Sequence, residues 1–342
     1  MSAGPWSHAY PRIVVLNSLV ARLPLPSPAA RKAVGIAAIV AQAGIGVTGS
    51  VVRVTGSGLG CATWPQCQPG SMVPVAHDEL HGIHQWIEFS NRLLTGVVIL
   101  VAVLAVFTAW RVHLDTPRKR LLALAWTMPG GVVLQAVVGG MTVLAKLEWW
   151  TVAIHFLAST PLIWLATLLL HAFTEGDERP RWLVPPIART FLVALVVLMW
   201  AILVAGTTVT GAGPHGGDTQ THRLDAPIET LARVHSGILV VYLVVLAVFG
   251  LTLLRTGASH RLWRRYGAVW LVAVAQGILG VVQYALGVPE ALVSLHVLGS
   301  ALVIVATGAL WCGARDRGLP PVSGASAGRD AVTASGYPAV TP

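Results

Sequence analysis

Charge is what this chain has least of. Only 11% of its 342 residues are Asp, Glu, Lys or Arg, against about a quarter in an ordinary soluble domain. That shortage excludes a water-soluble globular fold. Acidic residues are scarcer than basic ones, 14 against 23, which leaves a net charge of +9. Such an excess can mark a nucleic-acid partner. Here, however, Lys and Arg sit mainly in short stretches between apolar runs, a pattern of topology and not of a polyanion-binding face. Cysteine is nearly absent, with three in the chain, and no pair of them has partners at the usual zinc-ligand spacing. The first 33 residues lack the design of a cleaved signal peptide, because Arg12, Arg22, Arg31, Lys32 and several prolines surround one short apolar patch, "IVVL".

What the chain does have is hydrophobic length. Residues are 55% hydrophobic, in runs of roughly 20, the length that crosses a bilayer core as helix. Eight spans follow, at about 34–55, 84–110, 120–143, 150–173, 188–210, 229–254, 266–287 and 290–313. The expected fold is therefore an all-α polytopic protein of the lipid bilayer. Residues 1–33 read as an N-terminal segment and 174–187 as a linker. Residues 314–342, rich in Gly, Ala, Ser and Pro, read as a disordered tail. Arg and Lys precede span 1 and fill the connections 2–3, 4–5 and 6–7 and the stretch after span 8, while the alternate loops hold few. The positive-inside rule then puts both termini in the cytoplasm and the loops 56–83, 144–149, 211–228 and 288–289 outside.

Cys61 and Cys67, in "GCATWPQCQPG", fall in the first outward loop. Their spacing, with Pro65 between them, suits a short disulfide loop in an oxidising exterior, and two free thiols are the alternative. Cys312, near the inner face, reads as a small apolar residue.

The two halves repeat each other. "RVTGSG" (53–58) closes span 1 and "TVTGAG" (208–213) closes span 5. Gln135 is followed by Gly139 in span 3 and Gln276 by Gly280 in span 7. "HFLAS" starts at His155 and "HVLGS" at His296, each 20 residues after its glutamine. Spans 1–4 and 5–8 are thus read as two tandem four-helix bundles, 34–173 and 188–313. Because four is even, both have the same orientation.

Against this apolar ground the polar residues stand out. "IHQWIEFSNRLLTG" (83–96) carries His84, Glu88, Asn91 and Arg92, and "LARVHSGILVV" (231–241) carries Arg233 and His235. An ionisable residue within a span is costly and usually functional. A single histidine could simply hydrogen-bond a neighbouring helix. Two at matched depth, His235 and His296, on two helices of one bundle, are what bis-imidazole ligation of a haem needs. Ser236, Gly237, Gly299 and Ser300 beside them would admit the macrocycle. In the first half only His155 is kept, opposite Asn91, so that bundle looks more like a substrate site. Glu88 lies one turn before Asn91 on the same face. It could handle a proton beside a porphyrin edge, or simply pair with Arg92. Arg92 and Arg233 suit haem propionates, with interfacial anchoring as the alternative. Trp64, Trp86, Trp149 and Trp150 resemble an aromatic belt.

Through "RVTGSGLGCATWPQC", "EFSNR", the His155 and His296 motifs and the doubled layout, the sequence resembles the heme A synthase family over residues 34–313. The resemblance implies an enzyme of the bacterial cytoplasmic membrane that oxidises the C8 methyl of haem O to a formyl group, giving haem A for cytochrome oxidase. It implies haem b held by His235 and His296 and substrate haem held by His155 in the N-terminal half, with the haem sites toward the outer side. Glu88 matches the family's essential acid, and Cys61 and Cys67 match its outer-loop cysteines. The chain departs from the family pattern at Asn91, where a histidine is usual. Of the neighbours, Asn91, His84, Arg92 and Arg233 are pocket candidates. Contact with heme O synthase, an electron acceptor and a homo-oligomer are further implications. The competing readings are a di-haem b-type electron-transfer protein linked to quinol, which has no need of Glu88, and a transporter. A transporter should carry its polar residues at the midplane, whereas these cluster toward one surface. "GPHGGDTQTHR" (213–223) reads as a loop over the haem pocket, with His215 and His222 not metal ligands.

Overall fold

The computed structural model describes residues 9–75, 82–218 and 221–320. Among them are helices α1 (Ala9–Arg22), α2 (Pro28–Val54), α3 (Gly82–Asp115), α4 (Lys119–Leu144), α5 (Trp149–Ala172), α6 (Pro186–Ala212), α7 (Ile228–Thr256), α8 (His260–Ala285) and α9 (Glu290–Gly313). Two short strands, β1 (Arg181–Trp182) and β2 (Arg315–Asp316), complete them. Helices α2 to α9 are each long and apolar enough to cross a membrane, and they match the eight expected spans in order. Large apolar side chains such as Leu100, Leu254 and Leu271 stay exposed on their outer faces, a cost that a lipid surround removes. The chain is an all-α integral membrane protein.

Local chemistry sets the helix ends. Ser27 accepts from Ala30 N–H at the start of α2, with Pro28 in the first turn, a strong start signal. Ser259 accepts from Leu262 N–H at the start of α8. The α7 helix stops at Gly257, whose φ of +62° is left-handed. Pro129 and Pro161 lie inside α4 and α5.

Helices α2, α3, α4 and α5 pack as a closed cycle of neighbours, and α6, α7, α8 and α9 form a second cycle. Each has its own apolar core. One gathers Ala105, Ala109, Leu121, Ala125, Met128 and Leu169, the other Leu192, Leu195, Met199, Leu246, Phe249 and Ile304. The cycles join where α9 packs on α2 and α5, and α5 on α6. Glycines permit close approach there: a Cβ on Gly308 would meet Thr167 Cγ2 at 3.1 Å, and one on Gly211 would meet the Trp149 ring at 2.9 Å.

Two features differ from the sequence expectation. The α1 helix forms within the N-terminal segment and lies on α3, where Trp110 Nε1 donates to Asn17 Oδ1 at 3.1 Å and Arg111 Nε to Leu23 O at 2.7 Å. The ordered chain also continues past 313: β2 pairs antiparallel with β1, Arg181 opposite Asp316, and Gly176 N–H donates to Gly318 O at 2.7 Å. The disorder expected of the tail falls, for 321–342, outside the described residues.

Candidate functional site

His155, His235 and His296 sit six, seven and six residues into α5, α7 and α9, about 10 Å along each axis at 1.5 Å per residue. All three helices start from the end of the molecule that carries the glycine-rich loops. Those loops are tied together: Gly58 N–H donates to Gly217 O at 2.9 Å, and His215 Nε2–H to Val288 O at 2.8 Å. Arg53 Nη1 also donates to His215 O at 3.1 Å. His215 thus ties the α8–α9 loop of its own half to Arg53 at the end of α2 in the other half. His222 pairs with Glu148 at 3.0 Å. Among the described residues no cluster of three or more His, Cys, Asp or Glu could hold a metal ion.

In the C-terminal cycle the rings of His235 and His296 face each other with centroids 6.4 Å apart. His235 Nδ1–H donates to Ile202 O at 3.0 Å. That bond fixes the tautomer that leaves Nε2 with a lone pair. His296 Nδ1 is buried without a partner, as is Gln276 Oε1. Gln276 Nε2 donates to His296 O at 2.7 Å. The donor set fits a haem iron. A metal–imidazole bond of about 2.0 Å on each side, plus roughly 1 Å from nitrogen to ring centre, spans about 6 Å. Gly237 faces open space, whereas Gly299 is needed for a different reason: a Cβ there would stand 1.8 Å from Gln276 Oε1. Arg233 is exposed, and its Nε reaches Glu229 O within α7.

The N-terminal cycle holds a matching set. His155 Nδ1 and Gln135 Nε2 are buried and unpartnered. Asn91 is fixed from α2, its Oδ1 accepting from Thr48 Oγ1 at 2.7 Å. The structure joins Glu88, Arg92 and the cysteine loop into one unit. Glu88, 5% exposed, accepts Arg92 Nη2–H at 2.6 Å and Nε–H at 3.1 Å on Oε1, and Cys61 N–H at 2.7 Å on Oε2. Arg92 goes on to Cys61 O, Thr63 O and Gln66 O. Cys61 and Cys67 form a disulfide. His84 Nδ1 shares a 2.8 Å hydrogen bond with Ser57 Oγ. Gly60 lets the loop rest on the first turn of α3, since a Cβ there would be 2.5 Å from His84 O. Trp64 lies over Gly140 of α4 while remaining partly exposed. Sequence reasoning identified the histidines but gave no role to Thr48 or Ser57. Nor did it use Gly139 and Gly280 beyond marking the repeat, although the Gln-x-x-x-Gly spacing was the available signal.

A sequence model of the cytochrome oxidase assembly protein family matches residues 32–215. That stretch contains Glu88, Asn91 and His155 and ends before His235 and His296. The chain is similar to proteins named heme A synthase from Staphylococcus aureus strains JH9, Newman and JH1. Each is 28% identical over 172 residues, covering 48% of this chain and 54% of the relative. The chain thus spans about half the length of the curated relatives it matches.

Proposed function

This chain belongs to the cytochrome oxidase assembly protein family, and from that premise we propose that it is a heme A synthase, converting the C8 methyl of haem O to the formyl group of haem A. The observation that carries the reading lies outside the matched segment: two half-buried imidazoles with ring centroids 6.4 Å apart, one from α7 and one from α9, which stand opposite each other in their cycle, in a half that repeats the matched one. In this reading the two cycles are tandem bundles of the same orientation, residues 34–173 for substrate and 188–313 for haem b. The chain lies in the bacterial cytoplasmic membrane with both termini inside and the haem sites toward the outer side.

His235 and His296 hold haem b, which when bound supplies a one-electron relay. His155 holds the substrate haem from one face. Asn91, its carbonyl oxygen engaged by Thr48, borders the other face without competing as a strong ligand, and that leaves the guest reactive. Glu88 is anchored by Arg92 and Cys61 N–H, so its position is set by the disulfide loop. It stabilises positive charge or moves a proton as the methyl carbon is oxidised to an alcohol and then to a hydrate, which loses water to give the aldehyde. His84 stands one turn nearer the loop, tied to Ser57. Heme O synthase as supplier, an external electron acceptor and self-association complete the proposal.

Pigment analysis of the purified protein tests it. Haem extraction followed by chromatography should yield haem b together with haem O or haem A. Haem b alone in both halves would favour the electron-transfer alternative, and a colourless protein made with ample porphyrin supply would overturn the haem reading altogether.

A further inference from the structure

Each imidazole of the site lies against a glycine of the preceding helix. An ideal Cβ on Gly206 of α6 would stand 3.2 Å from His235 Cε1 and 3.5 Å from its Nδ1. On Gly280 of α8 it would stand 3.2 Å from His296 Cε1 and 3.8 Å from Nδ1. On Gly139 of α4 it would stand 3.0 Å from His155 Cε1. The fourth position of the repeat, Asn91, has its Nδ2 4.0 Å from the Cβ position of Gly49 of α2. Other helical glycines, such as Gly96 and Gly267, have nothing within 4 Å. The glycines therefore do not merely reflect a composition rich in small residues.

The contact at Gly206 has a chemical consequence. A helix buries its carbonyls under its own side chains, and a missing Cβ opens one of them. His235 Nδ1–H reaches through that opening to Ile202 O, four residues before Gly206. On α8 the residue four before Gly280 is Gln276, whose side chain already grips the backbone of His296. His296 Nδ1 is buried and unpartnered, 3.8 Å from the Cβ position of Gly280.

We infer that Gly206 and Gly280 are positioning residues for the two axial imidazoles: each opens a helix carbonyl four residues earlier, Ile202 O or Gln276 O, to take the Nδ1–H and so present Nε2 to one iron. This rests on the haem reading above. A ligand imidazole almost always donates its second N–H to a carbonyl, carboxylate or water, and loss of that partner weakens metal binding roughly 10–100-fold. For His235 the partner is main chain, so replacing the residue that carries that carbonyl does not remove it. Filling the glycine slot does.

The test uses the full chain in detergent and compares Gly206→Ala and Gly280→Ala with Gly267→Ala, a control on the same helix as Gly280. Haem affinity and the low-spin ferric electron paramagnetic resonance signal are read for each. Both slot variants should lose roughly 10-fold or more in haem affinity and shift the signal, and the control should keep both. Pulsed resonance on the unmodified protein in light and heavy water covers the case of a variant that does not fold. It should find an exchangeable, hydrogen-bonded Nδ1 proton on each axial imidazole. Unmodified protein without a bis-imidazole haem would sink the haem reading. A normal bis-imidazole haem whose affinity and signal the slot variants leave unchanged would sink this inference alone, as would an Nδ1 proton without a hydrogen bond.

Discussion

Glu88 and Arg92 show how a residue can be visible in a sequence while its role is not. The pair is separated by one helical turn, so an ion pair is an obvious reading, and in water it would contribute little. The fold changes its weight: Glu88's side chain is 7% exposed, Arg92's is 21%, and the remaining donors and acceptors go to the cysteine loop. Cys61 N lies 27 residues away, and main-chain partners leave no trace in composition, so this part was not legible. Glu88→Ala should stall formation of the aldehyde while haem b stays bound, as read by extracted pigments. It should also lower stability by about 3 kcal/mol, the low end for a broken buried pair, in thermal unfolding. Normal haem A yield from that variant would refute the catalytic role. The histidines were legible because ionisable groups are rare in apolar spans and because the repeat gave their depth. His235→Ala and His296→Ala should each abolish the low-spin b-type absorbance, and its persistence in both would refute the ligand assignment.

Whole helices were readable from apolar length alone, and α2 to α9 fall within a few residues of the expected spans at most ends. The α1 helix was not, because Pro11 and a four-residue apolar patch give no clear periodicity, and its partner on α3 is distant in sequence. In the connections, the roles of single residues were hidden for a related reason. Arg118 reads as one more positive-inside charge, yet it is 1% exposed. It binds Asp177 Oδ1 at 2.9 Å and Ala172 O at 2.9 Å, closing the end of α5. Orphan carbonyls at a helix end need such donors. Arg118→Ala should therefore cost roughly 3 kcal/mol, and Arg118→Lys should not restore it, because an ammonium lacks the fork. Thermal unfolding checks both. The β1–β2 pairing carries an acid sensitivity. Gly318 N–H and the Arg181 guanidinium hold the exposed Asp316 carboxyl below its ordinary value of 3.8. The contribution is present above that value and is lost as pH falls through the lower folded one. Amide exchange around 315–318 should rise over that acid range, and a flat response would show that the carboxylate does not hold the segment.

At the scale of the molecule, the two ends of the bundle differ in chemistry. One end carries the disulfide, the glycine-rich loops and the His215 contacts. The other carries Arg118, Arg120, Arg261, Arg264, Arg265, Arg315 and Arg317, and a contact crosses between halves there too: Arg265, held within its own half by Nη1 donating to Ala309 O at 2.8 Å, donates through Nη2 to His171 Nε2 at 3.1 Å. Part of the positive charge is therefore structural, used to close helix ends and join the cycles. The topological signal survives because the opposite loops have few cations to set against it. Basic loops stay on the cytoplasmic side, and a disulfide persists on the oxidising one. These are independent arguments, one from charge and one from redox chemistry, and both support the proposed orientation. Cysteine placed at exposed Lys146, between α4 and α5, should react with a membrane-impermeant thiol reagent on intact cells. Cysteine at exposed Arg261, at the start of α8, should react only after lysis. The native Cys312 is buried and supplies little background. The reverse labelling would place the disulfide in a reducing compartment, where it would not persist, and would move the proposed haem sites to the cytoplasmic side.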